Sequence, residues 1–315
     1  MRGSVQKSVA IVVALVITAA VGAGNAIAQA PRIERNVIYG MYSGLALLFD
    51  VYYPDKPNGR AIVLVPGSGW TASLGYDATP LKQTSTAATG GPARLAEAGY
   101  HVFVVNHRAT PRFQYPAPLE DVQRAVRFVR SKAATYRIDP DKIGAFGSSS
   151  GGHLVSLLGV LDGKGNPTDP DPINRISSKV QAVVALFPPI DLTTMTRSDG
   201  SSNLVLLLGA LPPADGKPSI ERKRYVDASP ITYVSPDDPP FLLFHGDADP
   251  VVPFQQSQLM EKALKDAGVA VKFVPVPGGK HGPTFGFPAG DSRVPDYWTE
   301  AVKWFDRYLR NQVSN

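Results

Sequence analysis

The stretch that decides the fold is Gly147-Ser148-Ser149-Ser150-Gly151, because it joins a strand-like segment to a helix-like one. The apolar run Lys142 to Phe146 precedes it, and Gly152 to Leu158 has the composition of a helix. A G-x-S-x-G sequence between a strand and a helix predicts a nucleophile elbow, a sharp turn that exposes one serine. Only the middle serine has glycine both two positions before and two positions after it, and small residues there relieve the crowding of the turn. The pattern therefore predicts Ser149 as a nucleophile.

An activated serine needs a base within hydrogen-bond reach, and the chain has only five histidines. His281 lies in the loop Pro277 to Pro283, after the strand-like run Val271 to Val276 and before a closing amphipathic helix. We therefore predict His281 as the base. Buried structural roles are expected for the other four histidines, which lie in or beside strand-like and helix-like segments: His101, His107, His153 and His245.

The acid is expected after the apolar strand Phe241 to Phe244, which runs into the segment His245 to Pro253. With Asp249 from this segment, the chain order is serine, aspartate, histidine. That order is typical of one hydrolase architecture and differs from the orders in chymotrypsin-like and subtilisin-like enzymes. Each of these three residues is a weak signal when taken alone, but their order along the chain favours a catalytic triad.

With these residues the chain resembles the α/β-hydrolases of the esterase and lipase kind, and within them the bacterial feruloyl-esterase-like and hormone-sensitive-lipase-like enzymes. In those relatives the acid lies in a segment written HGxxDxxVP. His245 to Pro253 matches this segment with Asp249 at the acid position, while Asp247 is the alternative acid or a cap of the turn. Tyr115 to Val122 resembles the helix start FPAxLxDV of the same family. The likeness runs from about Val37 to the C-terminal helix.

One segment departs from the family pattern, in which His-Gly-Gly-Gly-Trp after the third strand supplies half of the oxyanion hole. This chain has Pro66-Gly67-Ser68-Gly69-Trp70 there, after the apolar strand Ala61 to Val65. Backbone donors do not depend on the side chain, so Gly67, Ser68 or Gly69 is expected to supply one N–H and Ser150 the second. The histidine that braces the loop in the relatives is absent, and a plain glycine-rich turn remains the alternative.

The fold class predicted is α/β: an α/β-hydrolase fold, with a mostly parallel sheet, helices on both faces and a small lid insertion. Near-continuous apolar runs are typical of parallel strands that are buried on both faces. The buried-strand candidates are Ala61 to Val65, His101 to Asn106, Ile143 to Phe146, Val180 to Phe187, Phe241 to Phe244 and Val271 to Val276. Val37 to Tyr42 and Leu45 to Tyr53 are expected to form an antiparallel hairpin at the edge of the sheet.

The segment Thr193 to Val234 has no obvious sheet character and is the candidate lid. Insertions at the carboxyl ends of the strands build the substrate pocket in this kind of fold. A solvated pair of surface helices is the alternative for the same segment. Trp70 and Phe187 are expected to line an acyl or aryl pocket, with simple core packing as the alternative for Phe187.

The N-terminus is predicted to be a signal peptide, residues 1–28, followed by the catalytic domain, residues 29–315. Arg2 and Lys7 give a positive start, Val9 to Val21 an apolar core, and Ala26-Ile27-Ala28 a small-residue cleavage site. A retained membrane anchor is the alternative, although the apolar stretch is short for a bilayer span. We therefore expect a secreted or periplasmic protein without a stable membrane anchor.

Composition excludes several classes of function. The chain of 315 residues has a formal charge of +5, and residues 1–28 hold two positive charges and no negative ones, which leaves +3. No run of Lys or Arg with interleaved aromatic residues accompanies this charge, so no nucleic-acid partner is predicted. The absence of cysteine excludes a thiol nucleophile and disulfides. No metal or organic cofactor is expected, because two-step acyl transfer by a serine needs none. The oxygen-rich loop around Asp162, Asn166, Asp169 and Asp171 lacks the EF-hand spacing of a calcium site.

These features together favour a secreted serine carboxylesterase that uses two-step acyl transfer, acting on short-chain or carbohydrate-linked acetyl or feruloyl esters. A serine peptidase similar to prolyl oligopeptidase is one alternative, but those chains normally carry a large N-terminal domain, and the stretch before the first strands leaves no space for one. A catalytically silent hydrolase fold used for binding is the other alternative. It would be favoured by loss of a triad residue, and none is lost here.

Overall fold

A computed structural model describes residues 31–84, 90–195, 203–211 and 219–310 of the chain. The predicted signal peptide and parts of the candidate lid lie outside the described residues. Within them the chain forms an eight-stranded sheet with the order β1-β2-β4-β3-β5-β6-β7-β8. The strands are β1 (Arg32–Tyr42), β2 (Leu45–Tyr53), β3 (Ala61–Val65), β4 (His101–Asn106), β5 (Ile143–Ser148), β6 (Ala182–Leu186), β7 (Phe241–Gly246) and β8 (Val271–Val276).

The first two strands form the predicted edge hairpin, in which β1 and β2 pair antiparallel and β2 then pairs antiparallel with β4. All the other neighbouring strands pair in parallel, as predicted for the apolar runs. The strand ends differ from the prediction in four strands. β6 is shorter than predicted, since it runs over Ala182–Leu186 and not over Val180 to Phe187. β1 already begins at Arg32, while β5 and β7 continue two residues past their apolar runs because Ser148 pairs with Leu186 and Gly246 with Val276.

Both faces of the sheet are covered by helices. The described residues form α1 (Gly91–Glu97), α2 (Ala117–Ser131), α3 (Ala133–Tyr136), α4 (Ser150–Val160), α5 (Asn203–Leu208), α6 (Ile220–Asp227), α7 (Gln255–Asp266) and α8 (Tyr297–Phe305). Helices α2, α4 and α7 contribute to one buried apolar cluster, and α1 and α8 contribute to the other. The prediction of a mostly parallel sheet between two helical layers is therefore confirmed.

Strand β3 shows why the central strands read as unbroken apolar runs. Ala61, Val63 and Val65 belong to the cluster on one face of the sheet, whereas Ile62 and Leu64 belong to the cluster on the other. Successive side chains of a strand point to opposite faces, and both faces here lie under helices. No position of the strand is left for a polar residue.

The described parts of the candidate lid pack against the body of the domain. Leu204, Leu207 and Leu208 of α5 are buried, and the carbonyl of Leu207 accepts a hydrogen bond of 2.8 Å from the N–H of Tyr115. In α6, the side chain of Ser219 caps the helix by accepting from the N–H of Arg222. Two helices thus lie in this segment, and its role as a lid stays a prediction.

None of the helices described is both long and apolar enough to cross a membrane.

Candidate active site

The turn between β5 and α4 has the geometry of a nucleophile elbow. Ser149 has φ 52° and ψ −124°, a conformation that residues with a side chain rarely adopt. Its N–H donates to the carbonyl of Leu186 at the end of β6, and its carbonyl accepts from the N–H of His153 in the first turn of α4. Because the chain is fixed on both sides of the turn, the Ser149 hydroxyl is held outside the sheet and outside the helix.

The two glycines of the motif are required by close approach of backbone to backbone. A Cβ at Gly147 would overlap the carbonyl group of Gly151, and a Cβ at Gly151 would overlap the carbonyl oxygen of Val65 in β3. The crowding therefore comes partly from within the elbow and partly from the neighbouring strand. Any side chain at either position would push the elbow away from the sheet.

Three side chains converge at the carboxyl ends of β5, β7 and β8. The Ser149 hydroxyl lies 2.9 Å from Nε2 of His281, and Nδ1 of His281 lies 2.7 Å from Oδ2 of Asp249. Asp249 accepts from Nδ1–H, which leaves Nε2 as the acceptor for the serine proton. The structure thus brings together the three residues that the sequence analysis selected, in the arrangement of a serine, its base and an orienting acid.

The carboxylate of Asp249 is held by the loop that follows β7. Its Oδ1 accepts from the N–H groups of Val251 and Val252, at 2.8 and 2.9 Å. Burial alone would raise the pKa of Asp249, but hydrogen bonding to His245 and His281 outweighs it and holds that pKa well below its usual range. Asp249 therefore stays negatively charged beside the imidazole.

The alternative acid, Asp247, has a structural role. Its Oδ1 accepts from the N–H of Gly278 at 2.7 Å, and so it ties the loop after β7 to the loop that carries His281. His281 pairs with Asp249 instead. His245 also supports the acid loop, since its Nε2 lies 3.0 Å from the carbonyl of Val252 and its Nδ1 lies 2.7 Å from the hydroxyl of Ser257.

The loop expected to supply the oxyanion donors differs from the prediction at Ser68. Its N–H donates to the Oγ of Ser150 at 2.9 Å, so this donor already has an acceptor within the protein. The N–H groups of Gly67, Gly69 and Ser150 make no hydrogen bond within the described residues. Of the four expected donors, these three remain available for a developing oxyanion, and the Ser150 side chain joins the loop to the elbow.

Trp70 and His153 fix the other end of this loop. The Trp70 indole N–H donates to Nδ1 of His153 at 3.1 Å, and Nε2 of His153 lies 2.7 Å from the carbonyl of Ala228. An indole can only donate, so His153 carries its proton on Nε2 and donates it to Ala228. Burial lowers the pKa of His153 from 6.5 to about 4. His153 is thus buried, as expected, and it links the loop after β3 to the segment after α6.

A small cavity of about 30 Å³ opens onto the Ser149 side chain. Trp70 lines this cavity, whereas Phe187 does not, and the role of Trp70 in an acyl pocket stays a prediction. Phe187 lies under the imidazole of His281, with 4.5 Å between the ring centroids, because β6 ends directly behind the base. The cavity is lined by Gly69, Trp70, Ser149, Pro189, Met195, Asn203, Leu204, Val251 and Val252.

Several of these lining residues were missed by the sequence analysis. Met195, Asn203 and Leu204 come from the candidate lid segment, and they belong to no recognisable motif. Their only signal was the position of that segment after a strand end. A larger cleft of about 710 Å³ lies between the β1–β2 hairpin and α2, but none of the three converging residues lines it.

The fold and the site together define an α/β-hydrolase, with a serine on a strand-to-helix elbow and its histidine and aspartate on the later strand ends. Residues 49–264 match the family model described as BD-FAE, and the chain belongs to this family. Residues 227–309 also match the model of the dienelactone hydrolase family. The predicted resemblance to α/β-hydrolase esterases is confirmed.

Named relatives agree with this assignment. Esterase LipQ of Mycobacterium tuberculosis is 32% identical over 74% of this chain, which covers 53% of LipQ. The chain thus spans about half the length of that relative. A solved structure titled as a truncated carbohydrate esterase from gut microbiota has a TM-score of 0.71 and 31% identity, covering 90% of this chain and 98% of its own. An acetyl ester-xyloside bifunctional hydrolase from Caldicellulosiruptor lactoaceticus has a TM-score of 0.72 and 28% identity, covering 89% and 97%.

Proposed function

We propose that this protein is a serine carboxylesterase that removes short acyl groups, acetyl above all, from carbohydrate-linked esters. The observation that carries the proposal is the continuous chain of hydrogen bonds from Ser149 through His281 to Asp249. It supports acyl transfer, because it gives a serine hydroxyl a base that is already oriented and electrostatically supported.

In the proposed mechanism the Ser149 oxygen attacks the ester carbonyl while Nε2 of His281 takes the hydroxyl proton. The carbonyl π electrons move onto its oxygen, and the N–H groups of Gly67, Gly69 and Ser150 stabilise that charge. The intermediate then collapses, and His281 gives the proton to the departing alcohol. Water attacks the acyl-serine in the same way, with His281 again as base and then as acid, and releases the carboxylic acid.

The size of the cavity beside Ser149 supports a short acyl group. About 30 Å³ is roughly the space of two water molecules on the same measure, which is enough for an acetyl methyl group and too little for a feruloyl ring. Two structural relatives are named for action on carbohydrate or acetyl esters, which supports an acetylated carbohydrate as the substrate. Between the acetyl and feruloyl alternatives, the cavity favours acetyl.

Export of the protein is part of the same proposal, since residues 1–28 have the pattern of a cleaved signal peptide. A polymeric carbohydrate would be met outside the cytoplasm. Expression of the full chain in a bacterial host, followed by mass determination of the protein from the periplasm or medium, tests this. We expect a mature chain that begins at Gln29, and retention of the full-length chain in the membrane fraction would refute it.

The test of activity is hydrolysis of p-nitrophenyl esters from acetate to palmitate, together with methyl ferulate and acetylated xylan. We expect kcat/KM to be highest for acetate and activity to vanish in Ser149→Ala. Ser156→Ala is the matched control, because Ser156 is a buried serine of α4, the helix that follows the elbow. Among the described residues its hydroxyl bonds only the carbonyl of Gly152, at 2.7 Å. Equal rates for Ser149→Ala and wild type, or no turnover of any ester by the wild type, would refute the proposal.

A further inference from the structure

We propose that the side-chain amide of Asn203 donates a hydrogen bond to the carbonyl oxygen of the bound ester and helps to form the oxyanion hole. The residue comes from the segment after β6, far in sequence from both the elbow and the loop after β3. This inference rests on the proposed esterase function and adds a catalytic residue to it.

The first observation concerns the donors that the backbone supplies. Ser68 has its N–H committed to the Ser150 hydroxyl, at 2.9 Å. The loop Pro66 to Trp70 therefore presents the N–H groups of Gly67 and Gly69 to the substrate, but not that of Ser68. A site whose backbone donors are reduced gains most from an additional donor.

The second observation places the Asn203 amide against this loop. A Cβ added at Gly69 would overlap Nδ2 of Asn203, so the amide occupies the space that a side chain would take. Gly69 also has φ 63°, in the left-handed region. Glycine at this position thus allows both the turn of the loop and the close approach of the amide.

The third observation is that Asn203 and Ser149 line the same cavity of about 30 Å³. In so small a space, a carbonyl carbon bonded to Ser149 Oγ must place its oxygen or its acyl group close to the amide. The rest of the lining includes apolar side chains, Trp70, Met195 and Leu204 among them. A hydrogen bond is worth more in such surroundings than in water.

The Asn203 amide makes no hydrogen bond to the protein in the part of the chain that the structure describes. An amide side chain has two N–H donors that can bond a ligand. The carbonyl oxygen of a substrate in this cavity would satisfy one of them. The amide only donates a hydrogen bond here. No proton is transferred, and the electron pair on the oxyanion returns to the carbonyl when the alcohol leaves.

The experiment measures acylation and deacylation separately, by stopped-flow release of p-nitrophenol from p-nitrophenyl acetate. For Asn203→Ala we expect both rate constants to fall by about ten- to a hundred-fold, since an oxyanion forms in both steps. Asn203→Leu keeps the approximate size without a donor and should be equally slow. Leu206→Ala is the control on the same helix, because Leu206 is exposed and does not line the cavity.

A second measurement uses trifluoroacetone, which forms a tetrahedral adduct with an active-site serine. Its inhibition constant should rise by about ten-fold or more in both Asn203 variants, while the melting temperatures stay near that of the wild type. A loss confined to acylation would assign Asn203 to the alcohol group and overturn the inference. Full activity of Asn203→Leu would show that Asn203 only fills space, and would overturn the inference. Absence of a Ser149-dependent burst in the wild type would instead overturn the proposed esterase function itself.

Discussion

Two regions of the molecule meet at the same small cavity, and different features of the fold hold them in position. One is the strand-end group Ser149, Asp249 and His281, in which each residue follows a parallel strand of the sheet. The other is the wall formed by Met195, Asn203 and Leu204, which comes from a segment whose described part contains no strand. The strand-end group is positioned by backbone geometry, whereas the wall is positioned by the packing of α5 on the body of the domain.

This difference separates the chemistry from the choice of substrate. The strained backbone at Ser149, with φ 52°, can be held only where the sheet fixes one side of the turn and helix α4 fixes the other. The wall needs no strained elbow of this kind, so its side chains can change without disturbing the elbow. We therefore expect substitutions in the strand-end group to abolish activity, and substitutions of the apolar wall residues Met195 and Leu204 to change the acyl preference.

The largest effect is expected for Asp249→Asn, which tests the strand-end group. The Asn oxygen can keep the hydrogen bonds from Val251 and Val252, but its NH₂ group then faces Nδ1 of His281. That contact favours the His281 tautomer with its proton on Nε2. Nε2 can then no longer accept the hydrogen bond from the serine hydroxyl. We expect kcat for p-nitrophenyl acetate to fall by about 10⁴-fold with stability little changed.

Asp247→Asn is the matched control. An Asn oxygen can still accept from the N–H of Gly278, so the loop that carries His281 should stay in place and kcat should change little. A larger loss for the Asp247 variant than for the Asp249 variant would show that the acid has been assigned to the wrong aspartate. Circular dichroism and thermal melting of both variants separate a catalytic loss from unfolding.

A smaller effect is expected for Leu204→Ala, which tests the wall. Shortening this side chain enlarges the cavity, and longer acyl chains then gain room. We expect the ratio of kcat/KM for p-nitrophenyl butyrate to that for acetate to rise by roughly ten-fold or more. Steady-state kinetics on the ester series measure this ratio directly.

Leu207→Ala is the control for Leu204→Ala. Leu207 lies on the same helix and is fully buried, but it does not line the cavity. It should lose a similar amount of stability, about 2–5 kcal/mol for a buried leucine, without a change in acyl preference. An equal shift of preference in both variants would mean that loosening of α5, and not cavity size, sets the acyl length.

Much of the strand-end group could be predicted from the sequence because its physical requirements are local. The elbow needs Gly147 and Gly151 at fixed spacing, and the crowding that requires them is visible in the overlap that any Cβ would create. The central strands were predictable for a similar reason, since burial on both faces leaves an unbroken apolar run. Both signals lie within a few consecutive residues.

The wall and the donors of the oxyanion loop could not be predicted, because their requirements are not local. The bond from the Ser68 N–H to the Ser150 hydroxyl joins residues 82 positions apart. Asn203 approaches Gly69 from a helix that no sequence motif marks. Phe187 was expected in the pocket because it follows β6, but the sequence does not show that His281 takes the space in front of it.

His153 joins the oxyanion loop to the segment that follows α6, since it accepts from Trp70 and donates to Ala228. Burial holds the pKa of His153 at about 4 in the folded protein, below its usual 6.5. The unfolded chain therefore takes up this proton more readily than the folded one. The contribution of neutral His153 to the free energy of unfolding is fully present above about pH 6.5 and is lost as the pH falls toward 4.

The last prediction is that His153→Asn reduces this pH dependence. Asn can still accept from Trp70 but does not titrate, so its free energy of unfolding should fall less than that of the wild type between pH 7.5 and pH 5. The difference expected is roughly 1–2 kcal/mol, measured by urea titration at both pH values.

The comparison variant is His107→Asn, because His107 is buried with a pKa of about 4 but lies outside this link. Both variants should lose the same pH dependence, but only His153→Asn should also raise KM for acetate esters, because only it alters the link between the oxyanion loop and the segment after α6. Equal KM values for the two variants would show that this link does not position the oxyanion loop.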